Sequence, residues 1–298
     1  MLSGGTGGAK LARGLYEVCG AELTVVANPG DDIEIYGAYV SPDPDIATYW
    51  LADRIDERGW GIDGDSFNVM EMLRELGTDV WFNLGDRDLA LCLERRRMLD
   101  DGATLSQAHA ALTAALGVDA RVIPASDDPV RTMIRSGERR LTVQDFLIIE
   151  RGAPPIDGVE FVGAEVARAA PAAIEAIDGA EAIIIGPSNP VLSIGPILAI
   201  GAIRRALEDA AAPIVAVSPI VAGSVLKGPT AAFLAWAGVS VDAAGIAAHY
   251  GDLIDALVAD APVAGVTSLQ CDTWMGSATA RREVAVRTLE LARALAAD

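Results

Sequence analysis

Short apolar runs alternate with helix-length segments along most of this chain, and this alternation restricts its fold more than any other feature. Several of the runs are apolar at every position, which is typical of parallel strands covered on both faces. The pattern predicts an α/β fold with a doubly wound, Rossmann-like, mostly parallel sheet. The predicted strands are Leu23–Ala27, Val80–Phe82, Arg121–Ile123, Ala182–Ile185 and Ile214–Val217.

The predicted helices lie between these strands, and one segment departs from the pattern. Thr132–Val143, with a turn at Gly137, predicts a β-hairpin, and residues 132–158 are expected to form either a small inserted lobe or a dimer contact. With no internal repeat or linker, residues 1–298 are predicted to be a single domain. The predicted helices are Ala9–Cys19, Ile46–Glu57, Phe67–Leu76, Leu89–Leu99, Leu105–Leu116 (with a capping box at Thr104 and Gln107), Gly201–Asp209, Ala231–Ala237 and Ala278–Ala297.

Composition excludes several functional classes. A net charge of −19, from 23 basic and 42 acidic residues, disfavours nucleic-acid binding, and a phosphate-ester substrate would need a divalent cation beside so many carboxylates. Three scattered cysteines and two histidines predict neither a disulfide framework, a zinc site nor a histidine-centred triad. No apolar run is long enough for a membrane span and no leader is evident, so we expect a cytoplasmic protein without membrane contact.

The segment from Ser3 to Lys10, SGGTGGAK, carries four glycines in five positions. Such a segment predicts a loop whose backbone closely approaches a phosphate, but it matches neither the Walker spacing nor a GxGxxG after a full strand. Only Met1 and Leu2 precede it, so either the first strand is nearly absent or the sequence begins late. A phosphate cradle and an ordinary tight turn fit this run equally. The candidate binding residues are Gly4, Gly5, Thr6, Gly7 and Lys10, which with Lys227 is one of only two lysines.

Two acidic pairs follow the second predicted strand. One is Asp31–Asp32 in NPGDD, and the other is Asp43 with Asp45 in SPDPD. Carboxylates on neighbouring loops favour a site for one hard cation, as in phosphoryl-transfer enzymes. The alternative is that Asp45 caps its helix and Asp31 closes a turn.

An arginine between two aspartates follows the predicted strand Val80–Phe82. Asp86 and Asp88 are expected to orient Arg87, whose guanidinium would then face a phosphate or a carboxylate. A local ion-pair network at a helix start is the alternative interpretation.

Two proline-containing loops follow the last predicted strands. Ser188 and Asn189 in GPSNP offer a hydroxyl and an amide suited to a nucleotide, and Ser218 with Pro219 follows the next strand. Loops that proline merely stiffens are the alternative. Together with the glycine run and the carboxylates, and without a histidine base or cysteine nucleophile, these loops favour phosphoryl-type transfer over hydride transfer.

Taken in order, these motifs resemble the CofD/FbiA family, the 2-phospho-L-lactate transferases of coenzyme F420 biosynthesis. The resemblance spans nearly the whole chain and also includes Ser126–Pro129. It implies transfer of a phospholactyl or phosphoenolpyruvyl group from its guanosine diphosphate conjugate to the ribityl hydroxyl of the deazaflavin Fo. The resemblance also implies that GMP is released, that Mg²⁺ is required and that the enzyme is a homodimer.

The resemblance also assigns roles to residues. Asp45 and Arg87 would contact Fo, while Asp32 and Asp45 would hold the metal or orient the hydroxyl. Asp86 and Asp88 would assist substrate binding, and the loops at Ser188–Asn189 and Ser218–Pro219 would face the guanosine diphosphate. A nucleotide-sugar-binding regulator similar to the YvcK proteins is the alternative, although LGDRD and SPDPD favour the transferases.

Overall fold

The computed structural model describes residues 1–225 and 228–297. Most of the described strands are short, and the predicted strand Ile214–Val217 has the predicted bounds. The strands are β1 Leu2–Ser3, β2 Thr24–Ala27, β3 Ile33–Ile35, β4 Ala38–Val40, β5 Arg121–Pro124, β6 Arg131–Ser136, β7 Arg139–Thr142, β8 Gly158–Val162, β9 Ile183–Ile185, β10 Ile214–Val217, β11 Ile220–Val221, β12 Ser224–Val225, β13 Ala256–Ala259 and β14 Thr267–Gln270.

Helices surround the strands. They are α1 Gly5–Cys19, α2 Pro42–Leu51, α3 Asn68–Glu75, α4 Asp86–Asp100, α5 Leu105–Ala115, α6 Pro171–Asp178, α7 Gly195–Leu198, α8 Gly201–Glu208, α9 Thr230–Trp236, α10 Ala243–Tyr250 and α11 Ala278–Ala297. The capping box is confirmed, since the Thr104 side chain accepts from the Gln107 N–H and the Gln107 side chain accepts from the Thr104 N–H.

Seven strands form the central sheet in the order β14-β13-β10-β9-β1-β2-β5, and all neighbours are parallel. The two-residue strand β1 lies at its centre. From β1 the chain builds outward through β2 and β5, then returns to β9 on the other side of β1. The order is that of a dinucleotide-binding sheet with one added strand, and the switch point falls between β1 and β9. The predicted doubly wound α/β fold is confirmed.

Both faces of this sheet are buried. In β9, Ile183 and Ile185 pack into one hydrophobic core while Ile184 packs into the other, as expected for a strand with helices on both sides. Helices α1, α2 and α11 contribute to the core that contains Ile184, and α6, α8 and α10 to the core on the opposite face. The sheet is therefore the middle of three layers, and strands such as β9 are apolar at every position because helices cover both faces of the sheet.

The predicted hairpin is confirmed and gains a third strand. Strands β6 and β7 are antiparallel, and β8 pairs with the other edge of β6. The buried residues Ile134 and Phe146 pack this small sheet against Leu192 and Phe233 of the main body. Whether residues 132–158 make a dimer contact stays a prediction.

A bent helical segment follows β9. It runs from Pro190–Leu198 into Gly201–Glu208 with a bend of 88°. In the described part of the chain, no single helix has the length and composition of a membrane span, and this bent pair alone meets that criterion when its halves are combined. Ile194, Ile197 and Ile203 from this pair are fully buried in the protein core.

One predicted strand is wrong, and the predicted starts of several helices are too late, including that of α4, which begins at Asp86 instead of Leu89. Val80–Phe82 is not a strand but a half-buried loop, because its apolar side chains pack beside α3 and α4 rather than joining the sheet. Helix α1 begins at Gly5 instead of Ala9, and α2 spans Pro42–Leu51 instead of Ile46–Glu57. Consequently, the glycine run and the SPDPD segment lie in first helical turns, and NLGDRD does not follow a sheet strand.

Candidate active site

The candidate site begins at the switch point between β1 and β9. Gly4 follows β1, and Ser188 follows β9 by three residues. The Ser188 hydroxyl accepts from the Gly4 N–H at 3.1 Å and donates to the Gly4 carbonyl at 2.6 Å. These two hydrogen bonds tie together the strand ends where doubly wound sheets bind their ligands.

The glycine run is helical rather than the predicted loop, and binding of a phosphate by Gly4, Gly5 or Gly7 stays a prediction. Gly5 has a φ of +59°, and residues 5–8 form the first turns of α1. A Cβ on Gly7 would lie 2.1 Å from the Pro187 carbonyl oxygen, and one on Gly8 would lie 2.5 Å from Ser188 Oγ. The glycines are required because α1 packs directly against the loop that follows β9.

Thr6 and Lys10, the other candidate binding residues of this segment, contact the loop at Gly59 and helix α2. Thr6 Oγ1 donates to the Gly59 carbonyl at 3.4 Å. The Lys10 ammonium lies 5.8 Å from the centre of the Trp50 ring, a cation–π distance. Their substrate roles stay predictions, and Lys227 lies outside the described residues.

An acidic pair, in which Asp43 is buried and Asp31 is half-buried, faces the start of α1. Asp43, in the first turn of α2, accepts from the Gly5 N–H at 2.7 Å through Oδ1. Its Oδ2 accepts from Asn28 Nδ2 at 2.8 Å, and the same nitrogen donates to Asp31 Oδ1 at 3.2 Å. Asn28, at the end of β2, therefore holds Asp31 and Asp43 side by side.

The electrostatics of this pair favour a cation. Burial raises the pKa of Asp43 to about 6. Burial, with the nearby Asp43 charge, raises the pKa of Asp31 well above its ordinary value. Two adjacent carboxylates cannot both ionise cheaply unless a positive charge joins them. Their hard oxygen donors fit Mg²⁺, which proteins usually hold through one or two carboxylates plus substrate phosphates.

The Asp32 carboxylate has different hydrogen-bond partners from the carboxylate of its neighbour Asp31. It accepts from the Tyr39 hydroxyl at 3.0 Å and from Ser41 Oγ at 2.7 Å. Burial raises the pKa of Asp32 to about 6, with the Arg131 guanidinium opposing the rise. Asp32 also lines a cavity of about 320 Å³ between the β3–β4 hairpin and the small sheet. Gly30, Arg131, Thr132, Met133 and Gln144 are among its other lining residues.

Asp45 is engaged with a buried arginine. Arg95 Nη1 donates to Asp45 Oδ2 at 3.0 Å, and Nη2 donates to Oδ1. Burial raises the pKa of Asp45 against the opposing effect of Arg95. Among the described residues, Asp45, Asp88 and Cys92 have the spacing of a metal-binding group. Because the Arg95 guanidinium already supplies positive charge there, the acidic pair at Asn28 is the better candidate for a cation.

Asp86 of the LGDRD segment caps a helix, whereas the sequence analysis expected it to orient Arg87. Asp86, inside α4, caps α3 by accepting from the Asn68 and Val69 N–H groups, which lower its pKa to about 2 together with the Ser66 hydroxyl. Asp65, which precedes α3, accepts from the Arg87 and Asp88 N–H groups in the first turn of α4. The two helices are capped reciprocally.

The expected orientation of Arg87 by its neighbours is also wrong. The exposed guanidinium of Arg87 donates to the Asp63 carbonyl at 3.1 Å. Asp88 accepts from the Tyr49 hydroxyl at 2.6 Å, and burial followed by the charge of Asp45 raises its pKa to about 6. Contact of Arg87, Asp86 or Asp88 with a substrate stays a prediction.

The two proline loops lie at the ends of adjacent strands, as predicted. Asn189 Oδ1 accepts from the Val191 and Leu192 N–H groups, and Ser218 Oγ accepts from the Ile220 N–H. Pro219 completes the turn after β10. These contacts shape the loops, and their binding of guanosine diphosphate stays a prediction.

Comparison with known proteins identifies the family. A family model described as 2-phospho-L-lactate transferase CofD matches residues 1–290. This chain belongs to the CofD family. A 2-phospho-L-lactate transferase of Methanosarcina mazei is 40% identical over 262 residues, covering 87% of this chain and 86% of the relative. A phosphoenolpyruvate transferase of Kitasatospora aureofaciens is 41% identical over 268 residues, covering 87% and 84%. The CofD-family chain is therefore a transferase.

The fold has a solved counterpart at low identity. A UPF0052-family protein of Bacillus halodurans superposes with a TM-score of 0.62 and 17% identity, covering 97% of each chain. At that identity the likeness of the CofD-family chain to this protein concerns the fold alone.

The sequence analysis assigned the metal to Asp32 and Asp45, so Asn28, Asp31 and Asp43 are the site residues that it did not select. Asn28 was visible as the first polar residue after β2, where ligands of such sheets bind. Asp43 was visible as the other acid of SPDPD, but a helix beginning at Pro42 was needed to choose it. Residues two apart on a helix face different ways, so Asp43 and Asp45 cannot share one site.

Proposed function

We propose that this CofD-family chain transfers a phospholactyl or phosphoenolpyruvyl group from its guanosine diphosphate conjugate to Fo, within coenzyme F420 biosynthesis. Relatives of both kinds, at 40% and 41% identity, support the class of group transferred. They leave both three-carbon acids as candidates. GMP and F420-0, or its dehydro form, would be the products.

One observation carries the proposal: the Asp31–Asp43 pair lies between two potential substrate regions. On one side, Asp43 contacts the start of α1, which packs on the Ser188 loop. On the other side, the carbonyl of Asp31 accepts from the side-chain amide of Gln144, a residue of the 320 Å³ cavity. We assign the guanosine diphosphate to the Ser188 side and the Fo ring to the cavity.

The acidic pair is our candidate magnesium site, in place of Asp32 with Asp45. Mg²⁺ bound there would neutralise charge on the diphosphate of the donor. Asp31 and Asp43 would each offer an oxygen, while Asn28 would keep the two carboxylates in register. The raised pKa of Asp43, about 6, supports this assignment because such a pair is most stable with a cation between its members.

The reaction forms one phosphorus–oxygen bond and breaks another. The ribityl hydroxyl oxygen of Fo attacks the distal phosphorus of the donor, which carries the three-carbon acid. The bond from that phosphorus to the bridging oxygen breaks, and its electron pair leaves with GMP. Asp32 is our candidate acceptor of the hydroxyl proton, since a pKa of about 6 leaves it ionised but basic at neutral pH.

The test is product analysis by mass spectrometry with Fo, Mg²⁺ and both guanylylated acids in competition. We expect GMP and one dominant F420-0 product, whose mass identifies the acid. Absence of GMP release with both substrates present would refute the proposal. Tight binding of a UDP-sugar without binding of Fo would indicate the YvcK-like regulator instead.

We also infer a homodimer that uses the small sheet. The adjacent residues Leu147, Ile148 and Ile149 are large, apolar and exposed beside this sheet. Sedimentation of the wild type and of Ile149→Glu tests the inference, with dissociation of the variant expected. A wild type that sediments as a monomer would contradict it.

A further inference from the structure

Arg95 is a completely buried arginine in a helix whose neighbouring charges face solvent. Its side chain is 0% exposed. The adjacent Arg96 instead pairs at the surface with Glu34 and Asp100. Burial of a guanidinium is costly unless the group is paired and fully hydrogen-bonded. The contacts of Arg95 therefore need a structural or functional reason.

Those contacts span one corner of the backbone. Arg95 Nη1 donates to the Tyr39 carbonyl at 2.9 Å as well as to Asp45 Oδ2 at 3.0 Å. We call residues 39–45, which run from the end of β4 through Ser41 into the first turn of α2, the Ser41 corner. Arg95 thus holds both ends of this corner with one rigid, planar group.

The Ser41 corner sets two acidic side chains of the candidate active site. Tyr39 and Ser41 both donate to the carboxylate of Asp32. Asp43, in the same corner, contacts the Gly5 N–H and Asn28. A change in the angle between β4 and α2 would move both carboxylates together.

We propose that Arg95 is a positioning residue that fixes the Ser41 corner, and that Asp45 is its anionic partner rather than a metal ligand. The metal part of this proposal rests on the proposed function, whereas the placement of Asp43 against Gly5 is independent of it. Arg95 contacts no substrate region directly. It acts through Tyr39 and Asp45, by fixing where Asp32 and Asp43 lie.

The experiment compares Arg95→Lys with the matched control Arg96→Lys, one position along α4. Lysine keeps the charge but cannot bridge the Tyr39 carbonyl and both Asp45 oxygens. Hydrogen exchange of the Gly5 amide reports the contact with Asp43 without metal or substrate. Mn²⁺ binding to the full chain, followed by electron paramagnetic resonance, reports the acidic pair.

For Arg95→Lys we expect about tenfold faster exchange at Gly5 and about tenfold weaker Mn²⁺ binding, with Arg96→Lys unchanged. A folded Arg95→Lys protein with wild-type Gly5 exchange overturns the proposal. If that variant does not fold, the paired replacement Asp45→Leu with Arg95→Met removes both charges at similar volume and is measured in the same way.

Two further variants separate the role of Asp45 from that of Asp43. We expect Asp43→Asn to abolish detectable Mn²⁺ binding and Asp45→Asn to show only the tenfold loss of Arg95→Lys. Loss of binding in Asp45→Asn as complete as in Asp43→Asn would make Asp45 a ligand and overturn its role as a partner. A wild type that binds no Mn²⁺ refutes the metal assignment alone, and Gly5 exchange then decides the role of Arg95.

Discussion

The backbone N–H of Gly5 donates to Asp43 Oδ1 at 2.7 Å, and this contact joins two motifs that lie 38 residues apart. Gly5 begins α1, so the carboxylate lies at the positive end of the helix dipole. The N–H group of Gly5 therefore binds a carboxylate of the protein itself, at the position where the sequence analysis considered a phosphate. In this arrangement the acidic pair and the helix N-terminus form one continuous polar surface at the switch point.

Asp43→Asn should raise stability while removing function. Because burial raises the pKa of Asp43 to about 6, its ionised form destabilises the fold above that pH. The asparagine variant should gain up to about 3 kcal/mol in unfolding free energy at pH 7.5 and nothing below pH 4. GMP release should fall about 10²-fold or more. Urea unfolding at both pH values and the GMP assay measure these effects.

Asp53→Asn is the matched control for that variant. Asp53 is exposed and pairs with Arg13 on the surface, so its replacement should change neither activity nor stability appreciably. If Asp43→Asn were as active as the control, the assignment of the acidic pair to the reaction would be wrong.

Magnesium affinity should rise steeply with pH between about 5 and 7. At the lower end Asp43 carries a proton, because burial raises its pKa to about 6, and binding must displace that proton. Burial also raises the pKa of Asp31, so this carboxylate adds to the dependence on pH in the same direction. Each displaced proton gives up to a tenfold gain in affinity per pH unit. Calorimetry in buffers of different ionisation enthalpy counts the released protons. Affinity that is flat across this range would exclude the pair as the metal site.

The parallel sheet could be predicted because its strands are apolar on both faces. Strand Ile214–Val217 is bounded by turn residues and is buried at every position, so pattern and structure agree. The same criterion failed at Val80–Phe82, where Val80 and Phe82 pack against a small side cluster instead of entering the sheet. A run this short does not distinguish a sheet strand from a loop that covers a helix.

The site could be predicted as a set of loops but not as a set of contacts. Position after a strand pointed correctly to the NPGDD and GPSNP segments. The choice between Asp43 and Asp45 depended on where α2 begins, and the burial of Arg95 decides the partner of Asp45. The burial of Arg95 arises from tertiary packing, which local sequence does not contain, whereas Ser41 followed by Pro42 is a local signal for the start of α2 that the sequence analysis did not use.

Gly7→Ala should lower both stability and activity. The added Cβ would lie 2.1 Å from the Pro187 carbonyl, so α1 must move away from the loop after β9. We expect a loss of about 1–3 kcal/mol in unfolding free energy, and a fall in kcat/KM for the guanylylated donor larger than that for Fo. Gly201→Ala at the start of α8 is the control, since its Cβ would meet only the end of the Arg205 side chain at 3.3 Å. Equal effects of the two variants would contradict this account.

Arg131→Met should weaken the binding of Fo. The Arg131 guanidinium lines the 320 Å³ cavity and donates to the Tyr39 hydroxyl at 3.0 Å, so it presents charge beside the proposed ring site. Loss of a charge-assisted hydrogen bond to the ring should raise the Kd for Fo about 10- to 100-fold. Fluorescence titration with Fo, without donor or metal, measures this directly. Arg135→Met, on the same strand but bonded to the Asp157 carbonyl in an exposed position, should bind Fo as the wild type does. Unchanged affinity in Arg131→Met would show that Fo binds elsewhere.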